Sequence, residues 1–240
     1  NYQGCGHPRF RNFWNKYRKE FHSSLVALFK TRISGSKVDS TITKLRFNNS
    51  FRVEATGFAR GIWVLWDDKT EVDVLRVHPQ FVHVRIWDTQ GQMPFLCTAV
   101  YGKPQKSMRE YLWEELEIVA INVVEPWLMA GDFNAILWYN ERQGGVESRN
   151  VGCSRFNSFV FRLSLNYLGF QGPMFTWNRD NLFHRLDRSL CNDRWQTIVP
   201  NTFVQHLHRL KLDHRPFLET VNPTSGRRGG RGPLDFLLAG

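Results

Sequence analysis

Three short segments of the 240-residue chain carry residue types that can work together on a charged substrate. Gly131-Asp132-Phe133-Asn134 follows an apolar run, so a carboxylate and an amide two residues apart would stand at the rim of a sheet, with the glycine letting the backbone turn. Arg185-Leu186-Asp187-Arg188 alternates charge, and Asp213-His214-Arg215-Pro216 sets a metal-competent carboxylate beside an imidazole that titrates near neutrality. Each also has a plain structural reading: an Asx-type turn, a surface salt-bridge run, and a chance neighbour pair.

The elements that must position these groups follow from periodicity. Aromatic residues at three- to four-residue intervals predict a helix over Phe10–Phe21. Ser36 with Asp39 resembles an N-terminal capping arrangement for a helix running to about Arg46. Apolar stripes predict two more helices, over Lys106–Asn122 and Ser154–Leu165. Strand-like runs occupy Leu25–Phe29, Phe51–Ala55, Ile62–Trp66, Val72–Val77, Phe81–Trp87, Phe95–Tyr101, Trp127–Ala130, Phe175–Trp177, Phe203–Leu207 and Phe217–Val221. Strands in runs with helices between them predict an α/β sandwich of two sheets with helices outside. From Asn222 the composition turns to Gly, Pro and Arg. Residues 223–240 therefore read as a flexible Arg/Gly-rich linker and the start of an incomplete downstream segment, with the domain confined to residues 1–222.

Composition narrows the function. A 42% hydrophobic and 14% aromatic content excludes global disorder. The longest apolar runs are about five residues where a membrane helix needs about 20, so no membrane span is expected. The four cysteines, Cys5, Cys97, Cys153 and Cys191, have no zinc-finger spacing, and a reducing intracellular compartment is the simplest reading. The net charge of +10 is uneven: +9 for residues 1–60, −5 for 61–150 and +6 for 151–240. Such basic flanks fit either solvated surface or a polyanionic partner.

The order of the motifs is more telling than any one of them. Asn1 with Gly4 and Gly6, V-A-L-F-K-T-R-I-S-G at Val26–Gly35, A-T-G-F before G-I-W-V-L-W-D, A-V-Y ending at Tyr101, P-W-L-M-A-G-D-F-N, G-F-Q-G-P-M-F-T-W, R-L-D-R-S-L-C-N-D-R-W and H-L-H-R-L-K-L-D-H-R-P occur in sequence. Together they resemble the endonuclease/exonuclease/phosphatase superfamily, and most closely the endonuclease-like domain of plant non-LTR retrotransposon polyproteins. The resemblance implies a four-layer α/β sandwich of two packed mixed sheets with flanking helices. It also implies Mg²⁺- or Mn²⁺-dependent phosphodiester hydrolysis of DNA, in a nuclear setting. No small-molecule cofactor or membrane partner is expected, and a monomer is.

By the same resemblance, Asn1 would position the catalytic groups, Tyr101 would donate to the phosphate, and Asp132 with Asn134 would orient the attacking water. His214, oriented by Asp187, would hydrogen-bond the scissile phosphate. Asp213 would serve the metal, and Thr176, Trp177 and Arg188 would contact nucleic acid. Which group is the general base stays open at this stage.

Two departures from the family pattern stand out. Lys30 occupies the position of the family's principal metal-ligand Glu, where its ammonium could pair with Asp132 or Asp213, or instead turn to solvent. The family's first strand should end at Asn1, so its absence would leave the edge of a central strand open. The expected function is therefore an endonuclease-like hydrolysis impaired at Lys30. The alternatives are a catalytically dead nucleic-acid-binding remnant and, less well supported, a small-molecule or phosphoinositide phosphatase.

Overall fold

The computed structural model describes residues 8–31, 33, 35–54, 61–87, 93–145, 153–208, 214–222 and 234–239. Asn1 and Asp213 lie outside them. Two six-stranded sheets pack face to face, each with helices on its outer side. The first sheet holds β1 (Leu25–Phe29), β2 (Asn49–Val53), β3 (Ile62–Trp66), β13 (Asn201–His206), β14 (Phe217–Asn222) and β15 (Leu234–Ala239), in the order β13-β14-β15-β1-β3-β2. The second holds β4 (Glu71–His78), β5 (Phe81–Trp87), β6 (Phe95–Tyr101), β7 (Trp127–Asp132), β9 (Asn166–Tyr167) and β12 (Asp187–Cys191), in the order β4-β5-β6-β7-β12-β9. A small sheet of β8 (Arg142–Gln143), β10 (Trp177–Arg179) and β11 (Leu182–His184) lies apart from both.

Period-two alternation sends each strand's side chains to two different cores. In β1, Leu25, Ala27 and Phe29 face the second sheet and join Val84, Ala99 and Ala130 between the layers. Val26 and Leu28 face outward onto α1 (Pro8–Glu20) and α2 (Ser36–Leu45), where Trp14, Tyr17, Val38 and Ile42 cover them. On the far side, Leu96, Val100 and Met129 pack against Leu112, Trp113 and Leu116 of α3 (Lys106–Ala120) and Phe156 and Phe159 of α4 (Ser154–Arg162). This is the expected four-layer arrangement. A short helix, α5 (Asp193–Ile198), buries Trp195 and is capped by the Asn192 side chain, which accepts from the Trp195 amide.

Three local expectations need correction. Asp39 does not cap α2, whose N-cap is Gly35 without a side-chain bond; Asp39 pairs with Arg52 at 2.5 Å instead. The strand expected at Trp127–Ala130 continues to Asp132, because Gly131 adopts a φ of 143° where any Cβ would overlap the Val100 carbonyl. The third correction concerns residues 234–239, read from sequence as part of a linker and downstream segment. They form β15, parallel to β1 through Leu25↔Phe236 and antiparallel to β14 through Leu218↔Leu237. The edge of β1 expected to be open is thus paired. The run Leu234 to Ala239 is apolar enough to be buried on both faces, with Phe236, Leu237, Leu238 and Ala239 all inside.

A buried polar contact also links the two sheets: the Ser189 hydroxyl of β12 donates to Glu219 of β14, whose other carboxylate oxygen has no partner among the described residues. Burial pushes the Glu219 carboxyl up to about 7, against the lowering effect of Ser189.

Phe236→Ala should cost about 3 to 5 kcal/mol through lost contacts and a cavity, lowering the melting temperature by roughly 10 °C in a thermal scan. A carboxyl raised on folding stabilises the fold below its unfolded titration near 4 and loses that contribution as pH rises through 7. Melting scans from pH 5 to 8 should show a decline that Glu219→Gln removes, on the order of 3 kcal/mol.

Candidate functional site

Strand register brings the chemistry together. β6 and β7 run parallel with Tyr101 opposite Asp132, and β12 runs antiparallel to β7 with Asp187 opposite Asp132. Three neighbouring strands therefore end abreast on Tyr101, Asp132 and Asp187, each at most 4% exposed. From the other sheet, Lys30 follows the end of β1 with a left-handed φ of 55°. His214 precedes β14 and is held by an isolated bridge to Trp177, while the Arg215 amide donates to the Thr176 carbonyl at 2.8 Å.

Asp132 is the hub. One oxygen accepts the Asn134 amide at 2.9 Å, and the other accepts the Asn134 side-chain amide at 3.1 Å. Asn134, left-handed at φ 48°, also donates to the Gly102 carbonyl at 2.7 Å, which locks the turn after β7. The second Asp132 oxygen lies 3.4 Å from His214 Nε2 and 3.3 Å from the Lys30 ammonium. His214 Nδ1 in turn lies 2.8 Å from Asp187. Lys30 also sits 5.5 Å from the centre of the Tyr101 ring, a cation–π distance.

Burial pushes the Asp132 carboxyl above its ordinary range, opposed by the charges of His214 and Lys30 and reinforced by Asp187. Burial would raise Asp187 as well, but His214, the Thr176 hydroxyl and Lys30 together hold it below that range. The environment thus separates two neighbouring acids. Asp187 stays ionised and holds the His214 ring in place, whereas Asp132 is the more basic of the two carboxylates.

The sequence-derived candidates separate accordingly. Tyr101, Asp132, Asn134, Asp187 and His214 converge, and Lys30 joins them. Thr176 is buried behind the site: its oxygen accepts the Leu186 and Asp187 amides at 3.0 and 3.1 Å, so it positions Asp187 rather than touching nucleic acid. Trp177 is half-buried, its ring 5.3 Å from that of His184.

Arg188, expected at the nucleic-acid surface, is likewise buried. The alternation of Arg185-Leu186-Asp187-Arg188 is that of a buried strand end, and it turns Arg188 away from Asp187 into the core. There it meets Glu141 at 2.9 Å, donates to the Ala135 and Arg185 carbonyls, and lies over the Phe156 ring. Glu141, absent from the sequence-derived candidates, also binds Arg185, and its carboxyl is held below the ordinary range because the two guanidiniums outweigh its burial. This buried cluster fixes the segment from Asn134 to Arg142. A lone Glu in a polar stretch carries no signal of it.

Asp132, Asp187 and His214 offer donor atoms within 4.8 Å of one another, a set of metal-ligating type. As arranged, however, they do not fit the divalent ion that the resemblance implies. The Asp132 oxygens already meet two amide donors, an imidazole and an ammonium, and Asp187 is committed to His214. Mg²⁺ depends on one or two free carboxylates, and here a cation already stands on the central one.

Removing one partner from a buried ion cluster leaves the other charge unpaired, at about 3 to 5 kcal/mol. Arg188→Ala should therefore lower the melting temperature by roughly 10 °C, whereas Arg194→Ala on the exposed face of α5 should change it by under about 2 °C.

Comparison with known proteins agrees with this fold. The endonuclease domain of TRAS1, a telomere-specific non-LTR retrotransposon, superposes with a TM-score of 0.68 at 15% identity, covering 93% of this chain and 96% of that one. The AP endonuclease LMAP from Leishmania major gives 0.64 at 16% identity over 90% and 84% of the two chains. The 3′ phosphatase NExo from Neisseria, bound to a product DNA hairpin, gives 0.63 at 12% over 94% and 97%. No curated protein sequence matches significantly. No helix among the described residues is long and apolar enough to cross a membrane. The model of the endonuclease/exonuclease/phosphatase family matches residues 46–209, and with the sandwich fold and the Asp132, Asp187 and His214 constellation already in place, the chain belongs to that family.

Proposed function

We propose that this chain is a DNA-directed, retroelement-derived endonuclease domain whose phosphodiester hydrolysis is impaired by Lys30. Membership of the family supports phosphoester hydrolysis as the ancestral chemistry. The likeness in fold to a retrotransposon endonuclease domain and to DNA-processing enzymes supports DNA as the polymer, and a DNA target implies a nuclear site of action.

One observation carries the reading of impairment: the Lys30 ammonium lies 3.3 Å from an Asp132 carboxylate that is almost fully buried. In a competent site, Asp132 would take the proton of an attacking water held by Asn134, and His214, held in place by Asp187, would donate to the phosphate oxygens as negative charge builds there. Lys30 acts against the first step, because a cation on the base lowers its affinity for a proton. It leaves the second in place and adds positive charge for a polyanion. Binding and cutting are thereby separated: the site keeps its attraction for a phosphate while its base is weakened and the carboxylate expected at position 30 is lacking.

A supercoiled-plasmid assay in Mg²⁺ tests this directly. The unmodified protein should nick at least about 100-fold more slowly than Lys30→Glu, the scale of losing one charged group that stabilises the transition state. Adding Asp132→Ala to Lys30→Glu should abolish the gain. Robust nicking by the unmodified protein that is lost in Asp132→Ala would remove the impairment, and failure of both forms to bind a DNA duplex would remove the DNA assignment.

A further inference from the structure

Deep between the two sheets lies a polar pair that takes no part in the site's chemistry. Phe217, Glu219 and Val221 of β14 face the second sheet, and Asp187, Ser189 and Cys191 of β12 face the first. Glu219 and Ser189 are both fully buried. One Glu219 oxygen takes the Ser189 hydroxyl, and the other has no partner among the described residues.

The surroundings of Glu219 offer a charge nothing to pair with. Its ladder neighbours are Val204 of β13 and Phe236 of β15. The thiols of Cys97 on β6 and Cys191 on β12 lie within its electrostatic reach, and burial raises both, so they stay uncharged. His206 of β13 stands opposite Phe217 with Nδ1 on the Pro173 carbonyl, and burial lowers it, so it too is neutral near pH 7. No cation acts on Glu219 among the described residues. An ionised carboxylate there would keep one hydrogen bond and no counter-charge, so the packed interlayer favours the neutral acid.

The same two segments carry a second contact between the sheets. Asp187 lies two residues before Ser189, about 7 Å along β12, and His214 lies on the segment that enters β14. β12 and β14 belong to different sheets and share no backbone ladder. Packed side chains hold them together, and whatever parts them at Ser189 and Glu219 also draws His214 away from Asp187.

We propose that Ser189 and Glu219 form a protonation-governed clasp between the sheets: closed while the carboxyl is neutral, it opens when the carboxyl ionises and takes on water, and the opening loosens His214 from Asp187. Burial pushes the Glu219 carboxyl up to about 7, so the clasp is closed below that pH and opens as pH rises through it. The loss of stability over this range is then concentrated at β12 and β14 and reaches the site before the fold melts. The clasp acts on the site's geometry and holds whatever substrate the site takes.

Hydrogen exchange of the full chain at pH 6 and pH 8, corrected for intrinsic rates, tests where the molecule yields. Protection of peptides covering Asp187–Cys191 and Phe217–Asn222 should fall about tenfold at pH 8, one unit above the titration, while those covering α3 keep theirs. Glu219→Gln should abolish the difference. The NMR signal of the proton between His214 Nδ1 and Asp187 should be lost by pH 8 in the unmodified protein and retained in Glu219→Gln. An even loss of protection over the whole chain, or the same local loss in Glu219→Gln, overturns the clasp. A local loss with the His214 proton retained overturns its coupling to the site. Should Glu219→Gln fail to fold, carbon-13 titration of the Glu219 carboxyl in the unmodified protein decides: an inflection near 7 that coincides with the loss of protection supports the clasp, and one near 4 overturns it.

Discussion

Asp132 takes a carboxylate into a place where its side chain is 1% exposed, and the arrangement of the whole site follows from the need to satisfy it. A buried anion is tolerated only when paired and hydrogen-bonded. The pairing comes from both sheets: Asn134 from the turn after β7, His214 from the segment before β14, Lys30 from the end of β1. None of these partners is adjacent in sequence except Asn134. The site exists only where the two sheets are packed together, and the packing of Ala27, Phe29, Ala99 and Ala130 between them is what sets the distance across which Lys30 and His214 reach.

Much of this is legible from residues alone, for a definable reason. Asp132, Asn134, Asp187 and His214 lie in segments that are ambiguous singly but telling in their order, and the strand ending at Tyr101 follows from simple alternation. What sequence reading misplaces are residues whose meaning depends on which side of a strand faces the core. Thr176 and Arg188 are polar and close to Asp187, and the family resemblance reads them as a surface for nucleic acid. Burial shows instead that Thr176 props Asp187 and that Arg188 belongs to the Glu141 cluster. Glu141 itself is invisible because its partners, Arg185 and Arg188, are more than 40 residues away. The run Leu234 to Ala239 is lost for a different reason. It follows a Gly- and Arg-rich stretch, and composition averaged over the whole tail hides six residues suited to a doubly buried strand.

Lys30 illustrates how a cation can be accommodated among buried carboxylates. Where two carboxylates are buried side by side, the Lys30 ammonium offsets the repulsion between Asp132 and Asp187. Its left-handed backbone costs roughly 1 to 2 kcal/mol, which the ion pair with a buried partner can offset. The fold therefore gains no incentive to expel the substitution, and the Tyr101 ring stacked on Phe29 gives the Lys30 side chain a fixed wall to lie against.

The position of β15 has a temporal consequence. It lies between β14 and β1, so the middle of the first sheet joins segments separated by most of the chain. A polypeptide emerging from the ribosome presents β1 and β3 early, with one side of β1 lacking its hydrogen-bonding neighbour until Leu234–Ala239 has been made. Pairings of such high contact order form slowly, and an unpaired central edge recruits other strands while it waits. The second sheet, whose strands lie between residues 71 and 191, can assemble before that wait ends. Lys30, at the end of β1, then comes to rest beside Asp132 only when the first sheet closes, which makes this contact between the sheets one of the last to form.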